Sequence, residues 1–108
     1  MKKRIVIIGA GASGLAAAIE AARTGADVIV LEHTGEIGKK LLMTGNGRCN
    51  YTNTDMSPAH FHSHSDRNGT FVQTVLSAFG WEDTVQFFRE LGINPRIRHY
   101  EYDEGGYV

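Results

Sequence analysis

The chain has 108 residues, a formal net charge of −1 and 42% hydrophobic residues, a size and balance that fit one soluble globular domain or part of one. That charge gives no electrostatic basis for nucleic acid or an acidic membrane surface as partner, and no apolar run approaches the ~20 residues of a membrane span. The single cysteine, Cys49, excludes an internal disulfide and a C-x-x-C dithiol relay within these residues, and the expected location is the cytoplasm.

The basic start, Lys2-Lys3-Arg4, is followed by too short an apolar run for a signal peptide, and that run leads straight into glycines. Ile5-Val6-Ile7-Ile8 is an unbroken β-branched run, expected to form a parallel strand buried on both faces. Gly9-Ala10-Gly11-Ala12-Ser13-Gly14 then gives a G-x-G-x-x-G where strand passes into helix. In this motif Gly9 permits the sharp turn, Gly11 lets a pyrophosphate approach the backbone, and Gly14 lets the helix pack closely on the strand. The helix predicted from about Ala12 to Thr24 begins with unpaired N–H groups and the positive end of its dipole, which favour a phosphate; Ser13 adds a hydroxyl there. Gly25 marks the helix end, and Val28-Ile29-Val30-Leu31 is a second strand closing on Glu32. Glu32 lies eighteen residues past Gly14, near the offset of about twenty at which a carboxylate accepts from the hydroxyls of an adenosine ribose. It would repel a 2′-phosphate, which disfavours NADP at this site. The alternative is a purely structural βαβ unit with no nucleotide.

Residues 33–55 are rich in Gly, Asn and Thr and carry Lys39, Lys40 and Arg48. Gly38, Gly45 and Gly47 allow close approach of backbone to a ligand. A dinucleotide crossing the end of the sheet would extend toward such a loop, where N–H groups and these cations meet phosphates or an electron-rich ring edge. An ordinary polar surface loop is the competing reading.

Two segments, GAGASGLAAAIEAARTGADVIVLE and GKKLLMTGNGRCNYTN, together resemble the N-terminal region of a bacterial flavoprotein family. That family includes aminoacetone oxidase-like proteins, NAD(P)/FAD-dependent oxidoreductases and reductases of 3-dehydro bile acids. The first segment is shared by many flavoproteins with two dinucleotide-binding domains; the second, with T-G-N-G-R-C-N-x-T-N from Thr44 to Asn53, is long and specific. The likeness continues through FFRELGI. It implies that Gly9, Gly11, Ala12, Ser13 and Gly14 hold the FAD pyrophosphate, with Glu32 and the adjacent His33 at the adenosine ribose. It further implies that Gly38, Lys39, Lys40, Thr44, Gly45, Gly47, Arg48, Cys49 and Asn50 line the path toward the ribityl chain and isoalloxazine. NAD(P)H is then a possible electron donor in the parent protein. For Cys49 the preferred reading is a small, buried, apolar-behaving side chain rather than a thiol reacting near the flavin, because no partner cysteine or histidine base adjoins it.

His60, His62 and His64 alternate within a polar, turn-rich segment over residues 54–69. On an extended strand they would share one face and could hold zinc; a solvated loop is preferred, and no metal site is assigned. Spacing of Phe71, Val75, Leu76 and Phe79 predicts a short amphipathic helix, and Gly80 separates it from a second helix in WEDTVQFFRELG. In the second helix Val85, Phe88 and Leu91, extended by Phe87, make the expected buried face, and Gly92 the C-terminal cap. Ile93 to Tyr102 reads as extended, Asp103-Glu104-Gly105-Gly106 as a turn, and Tyr107-Val108 as a returning strand.

These readings place the chain in the α/β class. It is a Rossmann-like FAD-binding βαβ unit with an incomplete sheet over residues 1–53, followed by a Gly-rich loop and a small helical hairpin over 70–92, with 93–108 opening a β-hairpin. Because the last residues open a strand, the chain is expected to be the truncated N-terminal part of a longer protein, itself inactive and prone to self-association. The expected function is FAD binding within a flavin-dependent oxidoreductase acting on a small molecule; the alternatives are an NAD-binding dehydrogenase domain or a non-catalytic, self-associating fragment. No acid–base or nucleophile–base pair licenses a catalytic residue.

Overall fold

The computed structural model describes residues 1–44, 49–57, 60–61, 65, 69–99 and 106–107, with backbone alone at 98–99 and 106–107. Two compact units divide between Cys49 and Asn50, and each is described by itself. Among the described residues no helix is long and apolar enough to cross a membrane.

In the first unit, β1 (Arg4–Ile8), α1 (Ala12–Arg23) and β2 (Asp27–Leu31) form a parallel βαβ unit, and α2 (Lys39–Met43) follows. The strands pair in register from Arg4↔Asp27 to Ile8↔Leu31. The start of the ladder is held by the Arg4 guanidinium, 2.8 Å from Asp27 Oδ2, and its end by the Gly9 N–H donating to the Leu31 carbonyl at 2.7 Å. Helix α1 stops where the Thr24 hydroxyl donates to the Ala21 carbonyl at 2.7 Å and Gly25 turns at φ 81°. That positive φ is open to glycine at little cost.

Among the described residues of this unit only one face of β1 is covered, against the expectation of burial on both. Ile5 and Ile7 are half-buried, and a Cβ built at Gly14 in α1 would touch the Ile7 side chain, which puts α1 on that side. Val6, Ile8, Ile29 and Leu31 line the other side and are exposed, Ile8 by 87%. A two-stranded sheet with one helix has a single protected face. Among the described residues this sheet has two strands, in keeping with the incomplete sheet expected from the sequence.

In the second unit, α3 (Thr70–Ala78) and α4 (Trp81–Glu90) are separated by Phe79 and Gly80. The first turn of α4 closes on its own start: Asp83 Oδ2 accepts from the Gly80 N–H at 2.8 Å, and the Thr84 hydroxyl donates to the Gly80 carbonyl at 2.9 Å. Its last turn ends in a Schellman arrangement. There the Gly92 N–H donates to Arg89 and the Ile93 N–H to Phe88, at 2.9 and 3.0 Å, with Gly92 at φ 83°. Val85 is buried, Phe87 and Phe88 are half-buried, and Phe88 stacks tilted on Tyr51 with centroids 4.2 Å apart. Leu91 is exposed rather than part of this face. On α3 the buried residue is Val72, while Phe71, Val75 and Phe79 are exposed. Of the stripe read from their spacing, only Leu76 is half-buried among the described residues. Backbone pairing of β3 (Arg98–His99) with β4 (Gly106–Tyr107) is antiparallel.

Candidate functional site

In-register pairing brings the ends of β1 and β2 out side by side, so the glycine turn and Glu32 meet at one edge of the sheet. A cleft of about 640 Å³ opens there. Its walls are the turn and the start of α1 on one side, residues 32–34 and Glu36 on another, and α2 with Thr44 on the third.

The turn is built for a close backbone approach. Gly11 is the N-cap of α1, and no side chain caps that helix and no acid sits in its first turn. The first N–H groups therefore remain for water or a ligand, at the positive end of a twelve-residue dipole. A Cβ at Gly11 would meet no atom within 4 Å, so the space in front of it is empty of protein. Gly14 differs: a Cβ there would overlap the Gly9 carbonyl, so its lack of a side chain serves helix–strand packing. Gly9 turns at φ 98°.

Ala10, 1% exposed, is the hub of the site. Its N–H donates to Glu32 Oε2 at 2.7 Å, and its carbonyl accepts from the Gly38 N–H at 2.8 Å. Gly38, at φ 67°, caps the short helix α2 and so ties it to the glycine turn. Glu32 Oε1 accepts from the Thr34 N–H at 2.8 Å and from the Thr34 hydroxyl at 2.9 Å. The Thr34 N–H and then the Ala10 N–H, helped by the Thr34 hydroxyl, hold the Glu32 carboxyl at about 2 against the ordinary 4.5, despite an opposing push from desolvation. The His33 ring lies 3.2 Å from Oε1 and favours the anion further when protonated. The group is a permanent carboxylate near neutral pH.

Gly11, Ala12, Ser13, Glu32, His33, Lys39, Lys40 and Thr44 all line the cleft. Gly9, Gly14 and Gly38 shape its frame instead. Lys39 and Lys40 begin α2, a helical turn inside what the sequence suggests is loop, and the turn starts from Gly38 in the left-handed region, which glycine adopts at little cost. Gly45, Gly47 and Arg48 lie outside the described residues, and Asn50 belongs to the second unit. Cys49 is exposed, not buried as expected, and the described residues that follow it, 50–52, belong to no helix or strand that could pack over it. Of the alternating histidines, His62 and His64 lie outside the described residues; His60 Nδ1 is 2.7 Å from Asp55 Oδ1. Ala10, Thr34, Glu36 and Leu41 also belong to the cleft lining and were not singled out by the sequence. For Ala10 the available signal is its place inside G-x-G, where only a small residue fits; for Thr34 it is a hydroxyl two residues after an acid, a spacing that supports local turns.

Residues 3–101 match the family described as the HI0933-like protein Rossmann domain. The 3-dehydro-bile acid delta(4,6)-reductase of Clostridium scindens is 46% identical over 107 residues, covering 97% of this chain and 24% of that protein. The ribosomal RNA dihydrouridine synthases of Haemophilus influenzae and Escherichia coli are 41% and 34% identical, each alignment covering 82% of this chain and 21% of the relative. The chain thus spans between a fifth and a quarter of the length of these relatives. A parallel βαβ unit with an open glycine turn, a carboxylate ending its second strand and a match over residues 3–101 together make the chain a member of the HI0933-like Rossmann domain family.

Proposed function

We propose that the chain binds the ADP half of FAD and belongs to a flavin-dependent enzyme that saturates a carbon–carbon double bond. The observation that carries the cofactor reading is the cleft between Gly11, where the backbone stands open, and Glu32, whose carboxylate stays charged. The α1 N-terminus and Ser13 take the pyrophosphate, with Lys39 and Lys40 supplying positive charge at the same cleft. Glu32 accepts from the ribose, which suits FAD or NAD and opposes a 2′-phosphate. The T-G-N-G-R-C-N run after α2 favours the flavin.

The reaction class rests on the names of the relatives. One is a reductase of delta(4,6) bonds in a bile acid and the other makes dihydrouridine, so both names denote addition of two hydrogens to a carbon–carbon double bond. FAD held by Gly11, Ser13, Glu32, Lys39 and Lys40 would supply the hydride chemistry of such a reduction, with NAD(P)H the class of donor to the flavin. The residues of this chain hold and orient the cofactor rather than the substrate. The higher identity to the bile acid reductase, 46% against 41% and 34%, favours a small-molecule substrate over nucleic acid.

The test is gel filtration of the purified chain after incubation with FAD, with NAD in a parallel sample. Co-eluting flavin absorbance is expected. Retention of NAD without flavin would replace the reading with a nicotinamide site, and retention of neither would leave the chain a non-binding fragment.

A further inference from the structure

Nothing in a glutamate's own torsions sets the plane of its carboxylate, because the terminal sp³–sp² rotation is broad. At Glu32 that plane is fixed from outside. Thr34 gives Oε1 both its backbone N–H, at 2.8 Å, and its hydroxyl, at 2.9 Å, while Ala10 gives Oε2 one N–H at 2.7 Å. An ionised carboxylate has about four lone-pair sites. Two on Oε1 are thus taken by one residue, with the His33 ring a further neighbour of that oxygen at 3.2 Å, and the position left over lies on Oε2, whose one donor belongs to the glycine turn. The Thr34 oxygen is also 3.0 Å from the Glu36 carbonyl. A hydroxyl has one proton, and the charged acceptor holds it more strongly than the neutral one.

We propose that Thr34 is a positioning residue: by clamping Oε1 it aims Oε2 into the cleft and so sets how strongly the site distinguishes a ribose from a sugar lacking its hydroxyls. The proposal rests on the reading of Glu32 as the ribose acceptor. Thr34 itself lines the cleft, so its hydroxyl acts within the site and not from the far side of the fold. Replacing it by valine keeps the shape and the backbone N–H and removes only the O–H. The carboxylate then pivots about the remaining donors, and its free position is no longer held toward the ligand.

The test is calorimetric titration of the 108-residue chain with ADP and with 2′,3′-dideoxy-ADP. The wild type is expected to prefer ADP by about tenfold or more, the scale of a hydrogen bond to a charged group. In Thr34→Val the preference falls to about threefold or less, through weaker ADP binding with dideoxy-ADP affinity unchanged, and Thr34→Ser restores it. A general loss of stability would weaken both ligands together and leave the ratio intact. A wild type that prefers ADP and a Thr34→Val variant with the same ratio would overturn the role of Thr34 alone. A wild type that binds neither nucleotide, or both equally, would overturn the Glu32 reading and the proposal with it.

Discussion

The Ala10 N–H donates to Glu32 Oε2 at 2.7 Å across 22 positions of sequence. One hydrogen bond thereby joins the two halves of the nucleotide fingerprint before any ligand arrives. The turn that would face the pyrophosphate and the carboxylate that would face the ribose are set against each other by protein atoms alone, a form of preorganisation that lowers the ordering cost of binding.

Glycines of the turn divide into two kinds, and substitution separates them. Gly11→Val is expected to leave the thermal midpoint within about 3 °C, since the backbone there is extended and the space open. It should weaken FAD binding more than about tenfold, because the side chain fills the approach to the N–H groups. Gly14→Ala drives a methyl into the Gly9 carbonyl and should cost about 1–3 kcal/mol of stability. Circular-dichroism melts paired with flavin retention read both.

Acid should loosen the first unit through Glu32. Its carboxyl sits at about 2 in the folded chain against 4.5 ordinarily. The folded state therefore holds the proton less tightly than the unfolded one, and the stabilisation is fully present above pH 4.5. It is lost as pH falls from there toward 2. Urea midpoints measured across that window should fall with pH in the wild type, and the fall should shrink in Glu32→Gln.

Glu32→Gln is itself informative at neutral pH. The site presents only donors, from Ala10 on one oxygen and Thr34 on the other. Whichever way a glutamine amide turns, its NH₂ must confront one of them. The variant is expected to melt lower than the wild type and to bind ADP about tenfold more weakly or worse. Equal melting and equal affinity would show that the carboxylate is not engaged as described.

Exposed apolar side chains on the outer face of the sheet make a prediction about the isolated chain. Val6 and Ile29 are directly paired across the strands and both exposed. The chain should enhance the fluorescence of a hydrophobic dye and self-associate with rising concentration. The pair Val6→Thr with Ile29→Thr keeps β-branched shape and should reduce both effects, with a stability change within about 0.5 kcal/mol per site. Sedimentation across a concentration series checks it.

The βαβ unit was legible because its signals are local: a β-branched run, glycines at fixed offsets, Gly25 at the helix end and an acid closing the second strand. What lies over each face is not local. The spacing of Phe71, Val75 and Phe79 shows that they share a side of α3, yet Val72 is the residue that is buried. Likewise Ile5-Val6-Ile7-Ile8 declares a strand fit for two covered faces, and among the described residues of its unit only the α1 side is covered. Helix α2 escaped because its five residues fill less than half of the window of about 11 in which the helical period shows itself. At the site, Glu32 was found by its offset, whereas its partners Ala10 and Thr34 carry no charge and leave only weak local signals, and their role shows in where their N–H groups point.

The strict register of β1 on β2 has a consequence for how the family can vary in length. Residues can be gained or lost around the Thr24–Gly25 bend without disturbing what lies at the other end of the sheet, provided Arg4 still faces Asp27. A slip of one position between the strands is a different event. It would carry Leu31 past the Gly9 N–H, turn the alternate side chains to the opposite face and draw the Glu32 carboxylate away from Ala10. Insertions and deletions should therefore be tolerated at the Thr24–Gly25 bend and excluded from the strands and the glycine turn, and a library of single-codon deletions through residues 4–32 would display that boundary as a step in flavin retention.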